Sequence, residues 1–274
     1  MIEKELAQEI SKKYGTVKRC RGPFLYTQKG ERLTDLFQEK GRSILGWGKE
    51  GSSAFTILKN VLDRGITGSF ETDFGLCSSK KCPSRLSKSC SELFASPRNA
   101  FIFNSKEKAL KAALLLSKEN TGVFRPWNCS EIDWRQTECI IFAPPLPWYE
   151  NHWILAASTN IAGNPQELNS NLSAIKIPAP LEAAYTRSIY DLIKALQERE
   201  EKHWFIYDKV LTKYFTRKGP YLYPKVPEEK YNDFVIHCLN QKIIISPDYT
   251  NPSIVPFKAD KSVFSSLEKN PFVF

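Results

Sequence analysis

A short segment between a predicted strand and a predicted helix, Asn104 to Glu107, has the position at which proteins commonly bind phosphate. Backbone N–H groups point outward at the start of a helix, and the helix dipole favours an anion there. Ser105 is a good helix cap, so the plainest interpretation of this turn is an ordinary helix start. Lys106 would add positive charge, whereas Glu107 would satisfy the same dipole and repel phosphate. The turn is therefore a candidate anion site formed by Asn104, Ser105 and Lys106, with Glu107 acting against it.

Cysteine and histidine, the other residue types that carry much enzyme chemistry, are placed unfavourably for it. Cys77, Cys82 and Cys90 form one loose cluster, but zinc sites usually pair ligands two to four residues apart in two groups. His152 could act as a general base, yet the sequence around it indicates no carboxylate or nucleophile partner. We therefore predict structural thiols and no metal site.

The net charge of +9 indicates a basic surface, which attracts anionic small molecules or an acidic partner. An alternative is a nucleic-acid interface through Lys80, Lys81, Arg85 and Lys88. Basic residues elsewhere alternate with acidic ones, as across residues 198–202, which is typical of a solvated helix face. No recognisable nucleic-acid-binding module is present. We therefore expect an anionic small-molecule ligand before nucleic acid.

The composition is that of a globular protein. The chain has 274 residues, of which 42% are apolar and 25% charged, and this excludes wholesale disorder. No run of about 18 apolar residues predicts a membrane-spanning helix. The first residues lack the apolar segment of a secretory signal. Seven scattered cysteines do not form a disulfide framework. We expect a cytoplasmic protein with no membrane segment.

The spacing of apolar residues predicts which elements position these side chains. They are a helix over 3–14, a hairpin over 22–36 with its turn at Gly30, helices near 53–64 and from Pro83 to about 94, a strand over 99–103, a helix after Ser105, strands over 137–142 and 153–157, a long helix from Pro180, a helix carrying Trp204, Tyr207, Leu211 and Tyr214, a strand over 221–223, a helix over 228–240, strands over 243–246 and 253–255, and a terminal helix capped by Asp260. Strands alternating with helices before Pro180 predict a mainly parallel sheet, and the end of the chain predicts a small α+β subdomain.

Four stretches of the sequence resemble, in the same order, class III aminotransferases, which are pyridoxal-phosphate enzymes of fold type I. The matching stretches are the hairpin over 22–36 with Leu45-Gly46-Trp47, residues 91–94 with 101–113, residues 180–185, and residues 219–256. The resemblance implies an α/β three-layer sandwich and a homodimer. It also implies three segments: 1–45 packing with the small domain, 46–180 as a shortened large domain, and 181–274 as a small α+β domain led by the long helix.

The residues that hold the cofactor in that family are only partly present. Asn104 and Ser105 match its phosphate-binding turn, but Lys106 and Glu107 replace a glycine and a hydroxyl residue. By alignment, Thr159 stands where the aldimine-forming lysine is expected, which leaves Lys176 as the candidate catalytic lysine. The strand over 138–145 ends in prolines and lacks the Asp that would keep the pyridine nitrogen protonated.

The resemblance and these departures together predict an aminotransferase-like protein that is non-catalytic or repurposed for ligand or protein binding. Pyridoxal phosphate is not expected as a resident cofactor. Two alternatives stay open: an active pyridoxal-phosphate-dependent transferase that uses Lys176, and a basic nucleic-acid-binding protein.

Overall fold

The computed structural model of the chain describes residues 3–68, 84–128, 132–161 and 172–274. Its helices are, in chain order, α1 (Glu3–Tyr14), α2 (Ala54–Asp63), α3 (Arg85–Leu93), α4 (Lys106–Leu116), α5 (Ala179–Glu198), α6 (Lys202–Phe205), α7 (Asp208–Leu211), α8 (Glu228–Asn240) and α9 (Ser265–Lys269). Its strands are β1 (Val17–Arg21), β2 (Phe24–Thr27), β3 (Arg32–Asp35), β4 (Arg98–Phe103), β5 (Thr121–Val123), β6 (Cys139–Phe142), β7 (Trp153–Ser158), β8 (Phe215–Lys218), β9 (Tyr221–Pro224), β10 (Ile243–Ile244) and β11 (Ser253–Ile254). Short 3-10 helices lie at Gln38–Gly41, Gly48–Glu50 and Lys261–Phe264.

The helix predicted to carry Trp204 through Tyr214 is two short helices, α6 and α7. Side-chain bonds to residues outside the two helices hold the chain at this break. The Tyr207 hydroxyl donates to the carbonyl of Ala259, and Arg217 forms a two-pronged pair with Asp208 at 2.6 and 2.8 Å. Because Ala259 is 52 residues from Tyr207 and Arg217 lies beyond the end of both helices, the spacing of apolar residues could not predict the interruption. Pro83, the predicted start of α3, lies outside the described residues.

The chain packs as two compact units. Unit 1 comprises Met1–Gly51, Trp127–Cys129 and Gln197–Phe274, and unit 2 comprises Ser52–Pro126 and Ser130–Leu196. The predicted segments 1–45, 46–180 and 181–274 remain a prediction about domain organisation.

Unit 1 contains two sheets. In the first, with strand order β1-β2-β3-β10, β2 and β3 pair antiparallel around Gly30, which confirms the predicted hairpin. Gly30 has a φ of +81°, a backbone conformation that glycine adopts without steric cost. The second sheet has the antiparallel order β11-β9-β8. The core of unit 1 contains Leu33 of β3 and Phe234 of α8, both fully buried.

The sheet of unit 2 has the order β4-β7-β6-β5. Strand β7 runs antiparallel to both of its neighbours, and only β5 and β6 are parallel. The sheet is therefore mixed, and the predicted mainly parallel sheet is wrong for this part of the chain. Residues 143–152 connect β6 to β7, and this connection carries Pro144, Pro145 and Pro147 instead of a helix. It is shorter than the crossover of a dozen or more residues that two parallel neighbours require.

Helices pack on both faces of this sheet. On one face, Ile102, Ile140 and Ile154 contact residues of α3 and α5. On the other face, Phe101, Phe103 and neighbouring residues of β6 and β7 contact Ala109, Ala112 and Ala113 of α4. The alternation of buried residues along β4 therefore supplies both cores, as expected for a strand that is covered on two sides.

Candidate functional site

The turn between β4 and α4 is an ordinary capped helix start. Phe103 ends the strand in the core, whereas Asn104 is exposed and Ser105 is half-buried. Ser105 has extended backbone angles, and its Oγ accepts a hydrogen bond from the N–H of Lys108 at 3.2 Å. One of the outward-pointing N–H groups of α4 is thereby satisfied within the chain. The prediction that Ser105 caps the helix is confirmed.

The two residues that differ from the family pattern are the first two of α4. The ammonium of Lys106 lies 5.7 Å from the centre of the Trp153 ring, a distance at which a cation interacts with the ring face. Glu107 is exposed in the first turn, where the helix dipole stabilises its negative charge. The turn therefore carries its own anion.

Lys176 lies near the same end of β4. The N–H of Ile175 donates to the carbonyl of Ile102 at 2.8 Å, so the segment before α5 runs beside the last residues of this strand. The side chain of Lys176 is exposed. A lysine that forms a Schiff base is normally activated by burial or by a neighbouring cation.

Thr159 lies at the opposite end of β4. Because β7 is antiparallel to β4, Trp153 is opposite Phe103 and Ser158 is opposite Arg98. The N–H of Thr159 donates to the carbonyl of Pro97, just before β4 begins. The two ends of a six-residue strand are roughly 15–20 Å apart. Thr159 and Ser105 therefore lie at opposite ends of β4, too far apart to form one site. Alignment of the sequence alone could not show this distance.

These observations test whether the residues fit pyridoxal phosphate. The turn predicted to hold phosphate carries the Glu107 carboxylate, and the ammonium of Lys106 lies over a tryptophan ring. The candidate lysine, Lys176, is exposed to solvent. The residues present therefore do not fit the cofactor.

His152 has the partners that the sequence did not indicate. It is only 3% exposed, and its Nδ1 shares a hydrogen bond of 2.8 Å with the hydroxyl of Tyr185. Its Nε2 lies 3.4 Å from a carboxylate oxygen of Glu150. The expectation of no carboxylate partner is wrong, and Glu150, two residues earlier, was the available signal. Because Tyr185 is fully buried in α5, its hydrogen bond with His152 links the core to the loop before β7.

The cysteine cluster is only partly described, since Cys77 and Cys82 lie outside the described residues. Cys90 is fully buried, and burial raises the pKa of its thiol to about 12. In the described part of the chain, no group of three or more His, Cys, Asp or Glu side chains is arranged to hold a metal ion. None of the described helices combines the length and apolar character needed to cross a membrane.

Unit 2 also contains a cavity of about 390 Å³ beside α2, α3 and α5, which sequence reasoning missed. Its lining residues are Ile57 from α2, Arg85 and Lys88 from α3, and Glu182, Ala183, Thr186, Arg187 and Tyr190 from α5. Two of the four residues proposed for nucleic acid, Arg85 and Lys88, thus line this cavity, whereas Lys80 and Lys81 lie outside the described residues. The volume is within the range of about 300–1,000 Å³ that is usual for ligand pockets.

Sequence relatives are distant. No protein-family model matches the chain. An uncharacterized protein of Treponema pallidum (strain Nichols) is 26% identical over 300 residues, with 90% of this chain and 91% of that protein covered. An uncharacterized protein of Borreliella burgdorferi (strain ATCC 35210) is 22% identical over 260 residues, with 92% and 88% covered.

Solved structures reveal the fold. Acetylornithine aminotransferase from Elizabethkingia anophelis superposes with a TM-score of 0.63 at 12% identity, over 98% of both chains. Ornithine δ-aminotransferase from Plasmodium falciparum gives 0.64 at 12% identity, over 97% of this chain and 96% of that one. Ornithine aminotransferase from Toxoplasma gondii, with pyridoxal phosphate at partial occupancy in its active site, gives 0.63 at 9% identity, over 92% and 87%. The chain has the fold of class III aminotransferases, which confirms the resemblance at the level of fold.

Proposed function

We propose that this chain is an aminotransferase-fold protein whose role is binding, and that it does not form an aldimine between a lysine and pyridoxal phosphate. The observation that carries the proposal is the start of α4. There Ser105 caps its own helix, the Lys106 ammonium lies over a ring, and Glu107 supplies a carboxylate.

Electrostatics at this helix start support the proposal. An anion binds to a helix start because uncapped N–H groups and the dipole both favour negative charge. In this chain the Ser105 cap already satisfies one N–H group, and Glu107 already places negative charge in the first turn. A phosphate group would be repelled by the carboxylate, and the compensating charge of Lys106 lies over the ring of Trp153.

One observation favours the alternative of an active transferase. The bond between Ile175 and Ile102 brings the segment of Lys176 to the same strand end as Ser105. Lys176 is therefore the lysine to test, whereas Thr159 lies at the other end of β4.

The test is a titration of the purified protein with pyridoxal phosphate, followed by the visible absorption band of an aldimine. Borohydride reduction and peptide mass spectrometry then locate any lysine that has reacted. We expect no band that moves on adding an amino acid, and the same background labelling in the wild type, Lys176→Ala and the control Lys118→Ala. A band that responds to amino acids in the wild type and disappears only in Lys176→Ala would overturn the proposal.

We further propose that the protein is a homodimer, as the resemblance to class III aminotransferases implies. Sedimentation equilibrium should then give twice the chain mass of 31.4 kDa. A monomer at micromolar concentration would contradict this part of the proposal and leave the absence of an aldimine unaffected.

A further inference from the structure

We propose that the cavity beside α2, α3 and α5 binds a small amphipathic anion, a molecule with an apolar body and one carboxylate or phosphate group. The inference goes beyond the proposed function, because it assigns a site and a ligand class. It also concerns a different part of unit 2 from the turn at Ser105.

The walls of the cavity are mainly apolar. Ile57 of α2 and Ala183 of α5 contribute aliphatic surface, and Tyr190 contributes its ring. The hydroxyl of Tyr190 is already hydrogen-bonded, since it donates to a carboxylate oxygen of Glu92 at 3.1 Å. A ligand with an apolar body would bury this surface, which is favourable because apolar groups leave water.

Three cationic side chains line the cavity. Arg85 and Lys88 are three residues apart on α3, so they lie on the same face of that helix, and both are exposed. Arg187 of α5 is held in place, because its guanidinium pairs with Asp191 at 2.9 Å and donates to Ser53 Oγ at 2.6 Å. The charge of Arg187 is therefore partly neutralised, and Arg85 lies close enough to the Glu182 carboxyl to interact with its charge. Lys88 of α3 supplies the positive charge that an anionic group would meet.

Two further polar side chains line the cavity where a head group would bind. Thr186 Oγ1 is buried and has no hydrogen-bond partner among the described residues. Because a hydroxyl both donates and accepts, rotation of this side chain would offer either bond to a ligand. Glu182 is the one carboxyl group among the lining residues.

Glu182 makes binding depend on pH. Burial raises the pKa of its carboxyl to about 7, and the nearby Arg85 lowers it. Below this pKa the neutral carboxyl donates a hydrogen bond to an anion, and above it the carboxylate repels the anion. The other ionisable groups that line the cavity are Arg85 and Lys88 from α3 and Arg187 and Tyr190 from α5, the helix of Glu182 itself, while the lining residue of α2 is Ile57. Anion binding should therefore weaken as the pH rises through 7.

The test uses 1-anilinonaphthalene-8-sulfonate, an amphipathic anion that fluoresces in apolar surroundings. Octanoate and octyl phosphate should displace it, and whichever displaces it at the lower concentration identifies the preferred head group. Octylammonium, with the same chain and the opposite charge, should not displace it. Displacement by octylammonium as readily as by both anions would overturn the inference.

Variants locate the site. Lys88→Glu should weaken octanoate binding roughly tenfold or more. The control Lys111→Glu makes the same charge change on α4, which packs on the other face of the sheet, and should leave binding unchanged. If circular dichroism shows that Lys88→Glu does not fold, Lys88→Met replaces it in the same measurement. Glu182→Gln should remove the pH dependence between pH 6 and 8. Equal affinities in the wild type, the Lys88 variants and Lys111→Glu would overturn the inference and leave the prediction of no aldimine standing.

Discussion

The hydroxyl of Tyr185 lies 2.8 Å from Nδ1 of His152 in the core of unit 2. The two rings also meet edge to face, with their centres 5.9 Å apart. Tyr185 is fully buried on α5, and His152 is 3% exposed at the end of the loop before β7. A histidine that the sequence offers as a general base is therefore engaged in holding a loop to a helix.

Replacing Tyr185 by Phe should lower the free energy of unfolding by about 1–3 kcal/mol, because it removes the hydroxyl that shares a buried hydrogen bond of 2.8 Å with Nδ1 of His152. Urea denaturation followed by circular dichroism measures the change. Tyr190→Phe on the same helix is the control, since the Tyr190 hydroxyl makes an exposed hydrogen bond to Glu92, and this variant should cost less than about 0.5 kcal/mol. Equal effects of the two variants would contradict a special role for the pair.

The turn before α4 can be changed toward the family pattern. The double variant Lys106→Gly, Glu107→Thr removes the carboxylate and restores a hydroxyl, so we expect inorganic phosphate to bind roughly 3- to 10-fold more tightly. Phosphorus NMR titration measures this affinity. Glu119→Thr removes one carboxylate beyond the end of α4 and should have little effect. The single variant Glu107→Thr keeps the positive charge of Lys106 and should also bind phosphate more tightly. If neither variant binds phosphate better than the wild type, Glu107 is not what weakens this site.

Local patterns predicted the parts of the fold that depend on neighbouring residues. The hairpin around Gly30 follows from glycine in a turn between two short strands, and the Ser105 cap follows from a hydroxyl before a helical repeat. The direction of β7 could not be predicted in the same way, because it depends on the length of the connection from β6 and on its pairing with β4.

The candidate sites show the same division. Asn104, Ser105 and Lys106 do lie together, because they are consecutive in sequence. The cavity was missed because it joins Ile57, Arg85 and Glu182, which belong to three different helices. The weak signal for it was Glu182, an acidic residue near the start of α5 beside several buried residues.

The start of α2 is capped by a side chain from another helix. Ser53, at the cap position, forms no side-chain cap bond, but the carboxylate of Asp191 on α5 accepts from the Ser53 N–H at 2.8 Å and the Ser52 hydroxyl at 2.7 Å. Asp191→Ala should therefore lower the free energy of unfolding by about 1–2 kcal/mol in urea denaturation. Asp233→Ala, at an exposed position of α8, is the control and should change it by less than about 0.5 kcal/mol. A loss no larger than the control's would rule out the capping role.

Arg199 connects several parts of unit 1. It is 9% exposed, donates to the carbonyls of Ile44 and Leu45 at 2.8 and 3.4 Å, and lies 3.9 Å from the centre of the Phe257 ring. Burial lowers the pKa of its guanidinium to about 10. Lysine keeps the charge but lacks the planar fork that serves two carbonyls and a ring together.

Arg199→Lys should therefore lower the melting temperature and cost roughly 1–3 kcal/mol of unfolding free energy, measured by differential scanning calorimetry. Arg32→Lys is the matched control, because Arg32 is exposed and lies over the Phe24 ring at 4.5 Å. The free energy of unfolding of Arg32→Lys should lie within about 0.5 kcal/mol of that of the wild type. Equal losses in both variants would show that the buried carbonyl bonds of Arg199 add nothing to stability.

Glu182 should also affect stability, with a sign that follows from its raised pKa of about 7. The native state holds the proton more tightly than the unfolded chain, so the stabilising contribution is full below the ordinary glutamate pKa and is lost as pH rises through 7. Glu182→Gln keeps a neutral side chain at every pH. We expect the variant to match the wild type near pH 4 and to be more stable by roughly 1–3 kcal/mol at pH 8, measured by urea denaturation. Glu92→Gln, on the exposed side of Tyr190, controls for loss of one charge and should not show this pH dependence. A wild type as stable as Glu182→Gln at pH 8 would mean that burial does not perturb this carboxyl.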